Sequence, residues 1–463
     1  MNVQTRDAIT TINPATGEAI ERIARTSGAD LDETLAQADA RYRAWREAPV
    51  EDRAQLFFGI ARALRSERAS LAQTAVREMG KPIDQANAEI EKCATCCEYF
   101  AQQGPAMLAD LAMPSNASRS YAAFRPLGVI LAVMPWNFPY WQVFRAAVPA
   151  LMAGNTMLLK HAENTTRCGL EIERIFQEAG APRGLFATIV VEHDAAERLL
   201  ADERIVAATL TGSERAGVAI ARAAGTKLKK TVLELGGSDP FIVLGDADLD
   251  AAVRLAVAGR FQNNGQSCIA AKRFIIESSA YDEFAARFAE AARAQRVGDP
   301  MDEATELGPL ARADLMKTLH EQVRETLEAG ATLLSGGRPI DRAGNFYEAT
   351  VVGDVVPGMR MFDEETFGPA AALVRARNER EAIALANRSS YGLGASIHSR
   401  DTQRAERLAS HIEAGMVFVN GIVASDPRLP FGGRKRSGHG RELSHFGIHE
   451  FTNIQTVWVG LGQ

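Results

Sequence analysis

Ile205-Val-Ala-Ala-Thr-Leu-Thr-Gly-Ser-Glu-Arg-Ala-Gly217 is the stretch that decides the fold. Ile205 to Leu210 form a short, nearly unbroken apolar run, the signature of a strand buried on both faces. Gly212 permits a tight turn. Ser213 can open a helix, because its hydroxyl can accept from a backbone N–H of the first turn. The unit is therefore strand, turn, helix. The same grammar extends in both directions. Upstream, Val129 to Met134, Thr156 to Lys160 and Phe186 to Val191 read as strands, with a helix from Thr166 to Ala179 between the last two. Downstream, Thr231 to Leu235 is a further strand. Apolar strands alternating with amphipathic helices imply a mostly parallel sheet covered on both faces. Ligands of such sheets bind beyond the carboxyl ends of the strands.

A second unit of the same kind follows from Phe241. Lys272 to Glu277, Ala370 to Val374, Gly394 to His398 and Met416 to Asn420 read as strands, with helices such as Ala280 to Gln295 and Ala311 to Glu328 between them. The first hundred residues read as helices: Leu31 to Trp45 capped by Asp30, Glu51 to Arg65, and Ala69 to Glu78 stopped by Gly80 and Pro82. Ile454 to Gly460 alternates partly and reads as an edge strand open to pairing with another chain. No repeat or linker separates modules, so the domains are expected to interweave. The expected fold is α/β, with two doubly wound domains and a small β arm.

The chain has 463 residues, about three domains' worth. Lys plus Arg is 52 against 58 for Asp plus Glu, a formal net charge of -6, which leaves no basic surplus for nucleic acid. Met1 to Asn13 lacks the apolar core of a signal peptide, and no run reaches the length of a membrane span, so a soluble cytoplasmic protein is expected. The cysteines are Cys93, Cys96, Cys97, Cys168 and Cys268. This odd, sparse set argues against a disulfide framework. Cys93 to Cys97 lie in a helical run from Ile83 to Gln102 and read as packing residues, because no second ligand pair completes a zinc site.

Several positions beyond strand ends invite chemistry, and each also has a plain reading. Gly212 and Ser213 can cradle a phosphate at a helix N-terminus, or simply cap the helix. Lys160 and Glu163 can hydrogen-bond a ribose diol, the carboxylate disfavouring a 2′-phosphate, or can be a solvated pair. Asn137, set between Pro135 and Pro139, can donate to an oxyanion, or shape a turn. Cys268 follows Gln262-Asn-Asn-Gly-Gln-Ser267, polar surroundings that suit a nucleophile better than a core thiol. Glu234 ends an otherwise apolar strand, where burial would raise its pKa toward that of a working base, unless it is a partnered core acid.

Jointly these segments resemble the aldehyde dehydrogenase superfamily. The resemblance runs from Asn13-Pro-Ala-Thr-Gly-Glu18 to Phe451 and is carried by Pro135-Trp-Asn-Phe-Pro139, Lys160-x-x-Glu163, Gly212-Ser-x-x-x-Gly217, Leu233-Glu-Leu-Gly-Gly237, Gly265-Gln-Ser-Cys268, Glu364-Glu-Thr-Phe-Gly-Pro369 and Pro430-Phe-Gly-Gly433 with Ser437-Gly438. The resemblance implies that Cys268 attacks an aldehyde, that Asn137 and the Cys268 N–H hold the oxyanion, and that Glu234 activates water against the thioester. It implies that Lys160 and Glu163 contact the adenosine ribose, Ser213 and Trp136 the pyrophosphate, and Glu365 and Phe367 the nicotinamide side, with Gly212 and Leu235 also in the cofactor site. The implied cofactor is NAD, with NADP possible. The implied division is an NAD-binding domain of residues 1–107 and 127–236, a catalytic domain of 237–437, and an oligomerisation arm of 108–126 and 448–463. A homodimer or homotetramer is implied, with neither nucleic acid nor membrane as partner.

Phe138-Pro-Tyr-Trp-Gln-Val-Phe-Arg145, with Lys160-His161-Ala162 and Ala270-Ala-Lys-Arg-Phe274, is similar to bacterial succinate-semialdehyde dehydrogenases active with NAD. His161 marks that subgroup rather than a catalytic role. Arg145, about two helical turns beyond Asn137, can line the same cavity and bind a substrate carboxylate, or can be an ion-paired helix residue. Ala270 stands where some relatives carry a second cysteine, so their redox switch is not expected here. Glutarate semialdehyde, a neutral aliphatic aldehyde, or cofactor-independent thiol ester hydrolysis are the competing readings.

Overall fold

The computed structural model describes residues 8–192 and 194–460. The N-terminal residues 1–7, on which the leader-peptide reading partly rests, and the last residues of the arm, 461–463, lie outside the described part. Two large sheets organise the molecule. The first runs, in spatial order, Gly438–His439, Lys230–Glu234, Ile205–Thr211, Val129–Met134, Thr156–His161 and Phe186–Thr188. All its neighbours are parallel except the short first strand. Chain order reverses at Val129–Met134, which lies between Thr156–His161 on one side and Ile205–Thr211 on the other. That reversal opens a crevice beyond the carboxyl ends of the strands. The register aligns those ends: Met134 lies opposite His161, Val133 opposite Leu210, and Thr211 opposite Glu234.

The second sheet runs Thr332–Ser335, Thr350–Gly353, Ala370–Ala376, Ala271–Glu277, Asp239–Val243, Gly394–His398 and Met416–Val419. Only the first pairing is antiparallel. Both sheets are packed by helices on buried apolar faces. Thr452–Val459 pairs antiparallel with Arg119–Pro126, and Leu111–Ala112 completes this third, small sheet. A hairpin of Ala8–Ile12 and Ala19–Ala24, unforeseen in the sequence, turns through Gly17 at φ 79°.

The first helix, Gly28–Trp45, is capped by Ser27 rather than Asp30: the Ser27 hydroxyl accepts from the Asp30 N–H at 3.1 Å. Asp30 sits in the first turn and accepts from the same hydroxyl at 2.7 Å. Cys93, Cys96 and Cys97 are buried on the inner face of Ile83–Met107. Burial in this apolar face pushes all three thiols above their ordinary range. No helix among the described residues is long and apolar enough to cross a membrane.

The helix Trp141–Met152 is buried along its whole length. Its N-terminus is capped from another helix. The Glu89 carboxylate accepts from the Tyr140 and Trp141 N–H groups, each at 2.9 Å, and is ion-paired with Lys81. The Lys81 ammonium lies 3.9 Å from the centre of the Phe138 ring. His161 spans to the same segment, with Nε2 2.8 Å from the Pro139 carbonyl oxygen and Nδ1 3.0 Å from the Thr165 hydroxyl. Burial drops its imidazole to about 4, so it is a neutral strut at physiological pH.

Candidate active site

Cys268 lies on the loop between the helix Leu249–Phe261 and the strand Ala271–Glu277. Asn263, Asn264 and Gly265 precede it with φ of 55°, 57° and 70°. Asparagine and glycine are the residues that tolerate this left-handed run. The loop is clamped on every side. Asn264 Nδ2 donates to the Gly80 and Pro309 carbonyls, each at 2.9 Å, and its Oδ1 accepts from Gly308 N–H at 2.7 Å. Buried Arg260 donates to the carbonyls of Gly265, Gly368 and Ala271. Buried Lys272 donates to the carbonyls of Ser267 at 2.9 Å, Cys268 at 2.7 Å and Ala270 at 3.2 Å. Its ammonium also lies 3.6 Å from Glu365.

Asn137 is tied to this loop. Its Nδ2 donates to the Gln266 carbonyl at 3.1 Å, and its own carbonyl accepts from Asn263 Nδ2 at 2.7 Å. One N–H of the Asn137 amide and the Cys268 backbone N–H remain without a protein acceptor among the described residues. Unsatisfied N–H donors on and next to the loop of a nucleophilic sulfur are the kind of group that can hold an oxyanion.

Glu234 ends its strand 2% exposed, and neither carboxylate oxygen has a hydrogen-bond partner. Burial first, and then the neighbouring Glu442 charge, lift its pKa well above the carboxylate range; Arg145 and Arg441 oppose this. A Cβ at Gly237 would sit 2.7 Å from the Cys268 carbonyl oxygen, so the strand's continuation packs directly on the Cys268 loop. Burial pushes the Cys268 thiol up to about 12, while Arg145 and Lys272 pull it down and Glu365 and Glu234 raise it further. The amide of Asn137 and the strand end that carries Glu234 thus both meet the Cys268 loop, and the Glu234 charge acts on the thiol.

The remaining expected residues lie at or just after strand ends of the first sheet, or, for Glu365 and Phe367, on the segment before Ala370–Ala376. Trp136 follows Val129–Met134 and meets Phe367 edge-on, ring centres 5.7 Å apart. Ser213 caps Glu214–Gly225, accepting from Ala216 N–H at 3.3 Å. The first N–H groups of that helix have no intrahelical acceptor. Beyond them Gly212 leaves open space, since a Cβ there would meet only a Leu210 methyl at 3.6 Å. Leu235 packs under Gly217, where a Cβ would lie 2.6 Å from its methyl. Lys160 ends Thr156–His161, its ammonium shifted down by burial. Glu163 pairs with Arg25 at 3.0 Å. Glu365 accepts from Gly237 N–H at 2.9 Å, and burial raises its pKa.

Arg145 is the expected residue whose surroundings differ most from the sequence reading. It is buried, ion-paired with Glu442, and stacked 4.2 Å from the centre of the Phe431 ring, and it donates to the Thr211 hydroxyl at 3.2 Å. The guanidinium imagined as open to a substrate carboxylate thus holds a protein carboxylate. Sequence reading missed Glu442, Arg260 and Lys272. A lysine at the mouth of an otherwise apolar strand was the available signal for Lys272. The Arg145–Glu442 and Arg260 contacts are tertiary and left none.

Residues 2–457 match the aldehyde dehydrogenase family. The chain is 51% identical to a succinate semialdehyde dehydrogenase [NAD(P)+] of Escherichia coli strain K12, covering 96% of this chain and 97% of that one. It is 50% identical to a probable succinate-semialdehyde dehydrogenase [NADP(+)] of Synechocystis, covering 98% and 100%. Among solved structures, the succinic semialdehyde dehydrogenase of Streptococcus pyogenes in complex with NADP+ superposes with a TM-score of 0.96 at 37% identity, covering 98% of this chain and 100% of that one. The succinate-semialdehyde dehydrogenase of Burkholderia pseudomallei gives 0.95 at 34% identity, covering 98% and 95%.

Proposed function

The chain belongs to the aldehyde dehydrogenase family, and from that premise we propose that it oxidises succinate semialdehyde to succinate with a nicotinamide dinucleotide. The observation that supports the mechanism is that Asn137 is bonded to the Cys268 loop while Glu234, without a hydrogen-bond partner, acts electrostatically on the same thiol. The Cys268 thiol releases its proton to solvent, its charge favoured by Arg145 and Lys272, and the resulting thiolate attacks the aldehyde carbon. A C–S bond forms, and the carbonyl electron pair moves to oxygen. The spare Asn137 N–H and the Cys268 N–H stabilise that oxyanion. A bound oxidised nicotinamide would supply the hydride-accepting chemistry that this intermediate requires, and Cys268 would then hold the acyl group as a thioester. Glu234 takes a proton from water as the water oxygen attacks the thioester. The C–S bond breaks, the carboxylic acid leaves, and the thiolate is regenerated. A base with a raised pKa suits this task, because it must hold a proton transiently near neutrality.

The dinucleotide fits the crevice of the first sheet. The open N–H groups above Gly212 and Ser213, with Trp136, would take the pyrophosphate. Lys160 and Glu163 would take the adenosine ribose. Leu235, Glu365 and Phe367 would flank the nicotinamide side. We assign NAD as preferred, because Glu163 adds negative charge where a 2′-phosphate would sit. NADP is accepted to a lesser degree, because Arg25 neutralises part of that charge. Residues 1–107 and 127–236 would serve the cofactor, 237–437 the chemistry, and 108–126 with 448–463 assembly into a homodimer or homotetramer.

Reduced-cofactor formation should be measured with succinate semialdehyde, glutarate semialdehyde, butanal and benzaldehyde, each with NAD and NADP. Succinate semialdehyde with NAD should give the highest kcat/KM. A higher value for butanal or benzaldehyde would refute the substrate reading, and a higher value with NADP would refute the role given to Glu163.

A further inference from the structure

Lys272 is a wholly buried lysine that the mechanism so far uses only as a neighbour. It stands second in the strand Ala271–Glu277 and donates to the carbonyls of Ser267, Cys268 and Ala270. Three acceptors take three protons, so the side chain is held as an ammonium rather than as a neutral amine. A neutral donor would satisfy carbonyls at less cost than a buried charge, so the charge itself asks for a reason. Anchoring the loop is not reason enough. Asn264 already ties it to Gly80, Gly308 and Pro309, and Arg260 ties Gly265 to Ala271 and Gly368. What Lys272 alone adds is a positive charge bonded to the nucleophile's own residue.

That charge is only loosely compensated. Glu365 lies 3.6 Å away, beyond hydrogen-bond reach, and its near oxygen also accepts from Gly237 N–H. The Glu365 side chain stays 21% exposed, so water screens it further. Asp239 is the second anion acting on Lys272; it is buried, with one oxygen accepting from Gly394 N–H at 3.1 Å and the other without a partner. Burial lowers the Lys272 pKa, Glu365 and Asp239 oppose this, and Arg260 adds to it.

Four charged groups face the thiol. Arg145 and Lys272 favour its anion, while Glu365 and Glu234 oppose it. Arg145 is already ion-paired with Glu442. Lys272 and Glu365 thus form a balance with opposite pulls on one sulfur, and only Lys272 is bonded to the loop that carries it.

We propose that Lys272 is a positioning residue for the nucleophile: it fixes the loop through the Ser267, Cys268 and Ala270 carbonyls and supplies the charge against which the thiolate forms, and Glu365 sets how much of that charge the sulfur feels. This rests on Cys268 being the nucleophile of the reaction proposed above.

The test is the rate at which iodoacetamide alkylates Cys268 at pH 8 without cofactor, followed by peptide mass. Cys93, Cys96, Cys97 and Cys168 are buried and Cys268 is not, so label on the other four reports unfolding. Lys272→Gln keeps an N–H donor for the carbonyls and removes the charge. Glu365→Gln removes the opposing charge. Raising a thiol pKa by one unit costs about tenfold in thiolate and returns about threefold in nucleophilicity. Lys272→Gln should therefore react about threefold more slowly than the wild type, and Glu365→Gln about threefold faster. The double variant should fall between the two, and Lys272→Arg should recover most of the rate. A loop that had merely loosened would react faster in both single variants. A rate for Lys272→Gln at or above that of the wild type, or changes of the same direction in both single variants, would overturn the role. Should Lys272→Gln unfold, Glu365→Gln decides, and an unchanged or slower rate there overturns it. Cys268→Ala should oxidise no aldehyde; turnover by that variant would remove the nucleophile, and this proposal with it.

Discussion

Glu234 is a carboxyl group whose protonated form the fold favours, because its oxygens are buried without a donor and Glu442 lies nearby. Its native pKa is raised above that in the unfolded chain. Between those two values the unfolded chain has released the proton and the native protein has not, so stability falls as pH rises through that window. Glu234→Gln removes this cost. Its melting temperature should exceed that of the wild type by a margin that widens from about pH 5 to pH 8. In catalysis the same variant should lose roughly 100- to 10,000-fold in kcat. It should keep a first-turnover burst of reduced cofactor, since acylation of Cys268 does not need the base to act on water. Stopped-flow burst amplitudes against steady-state rates would check this; wild-type turnover would place the base elsewhere.

Strands of the first sheet end at Glu234 and just before Asn137, and the helix Glu214–Gly225 lies close on that sheet. Gly217 makes that approach possible, with Leu235 filling the place of its missing side chain. Gly217→Val should push the helix and Leu235 apart. The cofactor KM should rise about tenfold, the scale of an overpacked contact of 1–3 kcal/mol, with kcat much less affected. Steady-state titration of NAD at saturating aldehyde would check it. This element was legible because a strand, a glycine turn and a cap are local signals. Asp239–Val243, a central strand, was not read as one. Pro240 reads as a breaker, and it survives only because the ladder with Ala271–Glu277 shifts register at that residue. Phe186–Thr188 is shorter than the apolar run implied, since the chain leaves this edge and Val190 accepts instead from Thr26 N–H at 2.9 Å. Cys268, Glu234 and Asn137 stood out as residues at odds with their apolar neighbours. The Arg260–Gly368 contact joins residues 108 apart, and no local pattern announces it.

At the scale of the whole molecule, Thr452–Val459 leaves one edge of the small sheet unpaired and presents Ile454 and Trp458, which are 63% and 56% exposed. An apolar edge strand of this length is a pairing template. On the proposed assembly through this edge, the wild type should scatter light as more than one chain, and Ile454→Asp with Trp458→Asp should lower that mass toward a single chain, with little change in secondary structure by circular dichroism. An unaltered mass would place the contact on another face. Gly438–His439 joins the edge of the first sheet, and Glu442 reaches Arg145, so the chain returns after the second sheet to finish the first. During synthesis, Arg145 is made hundreds of residues ahead of its counter-ion. A nascent chain halted before Glu442 would have to bury a lone guanidinium, at a cost on the order of 3–5 kcal/mol. The order of translation thus sets closure around Arg145 after the strands of both large sheets have been made, and a chain halted before Glu442 should hold its first sheet poorly.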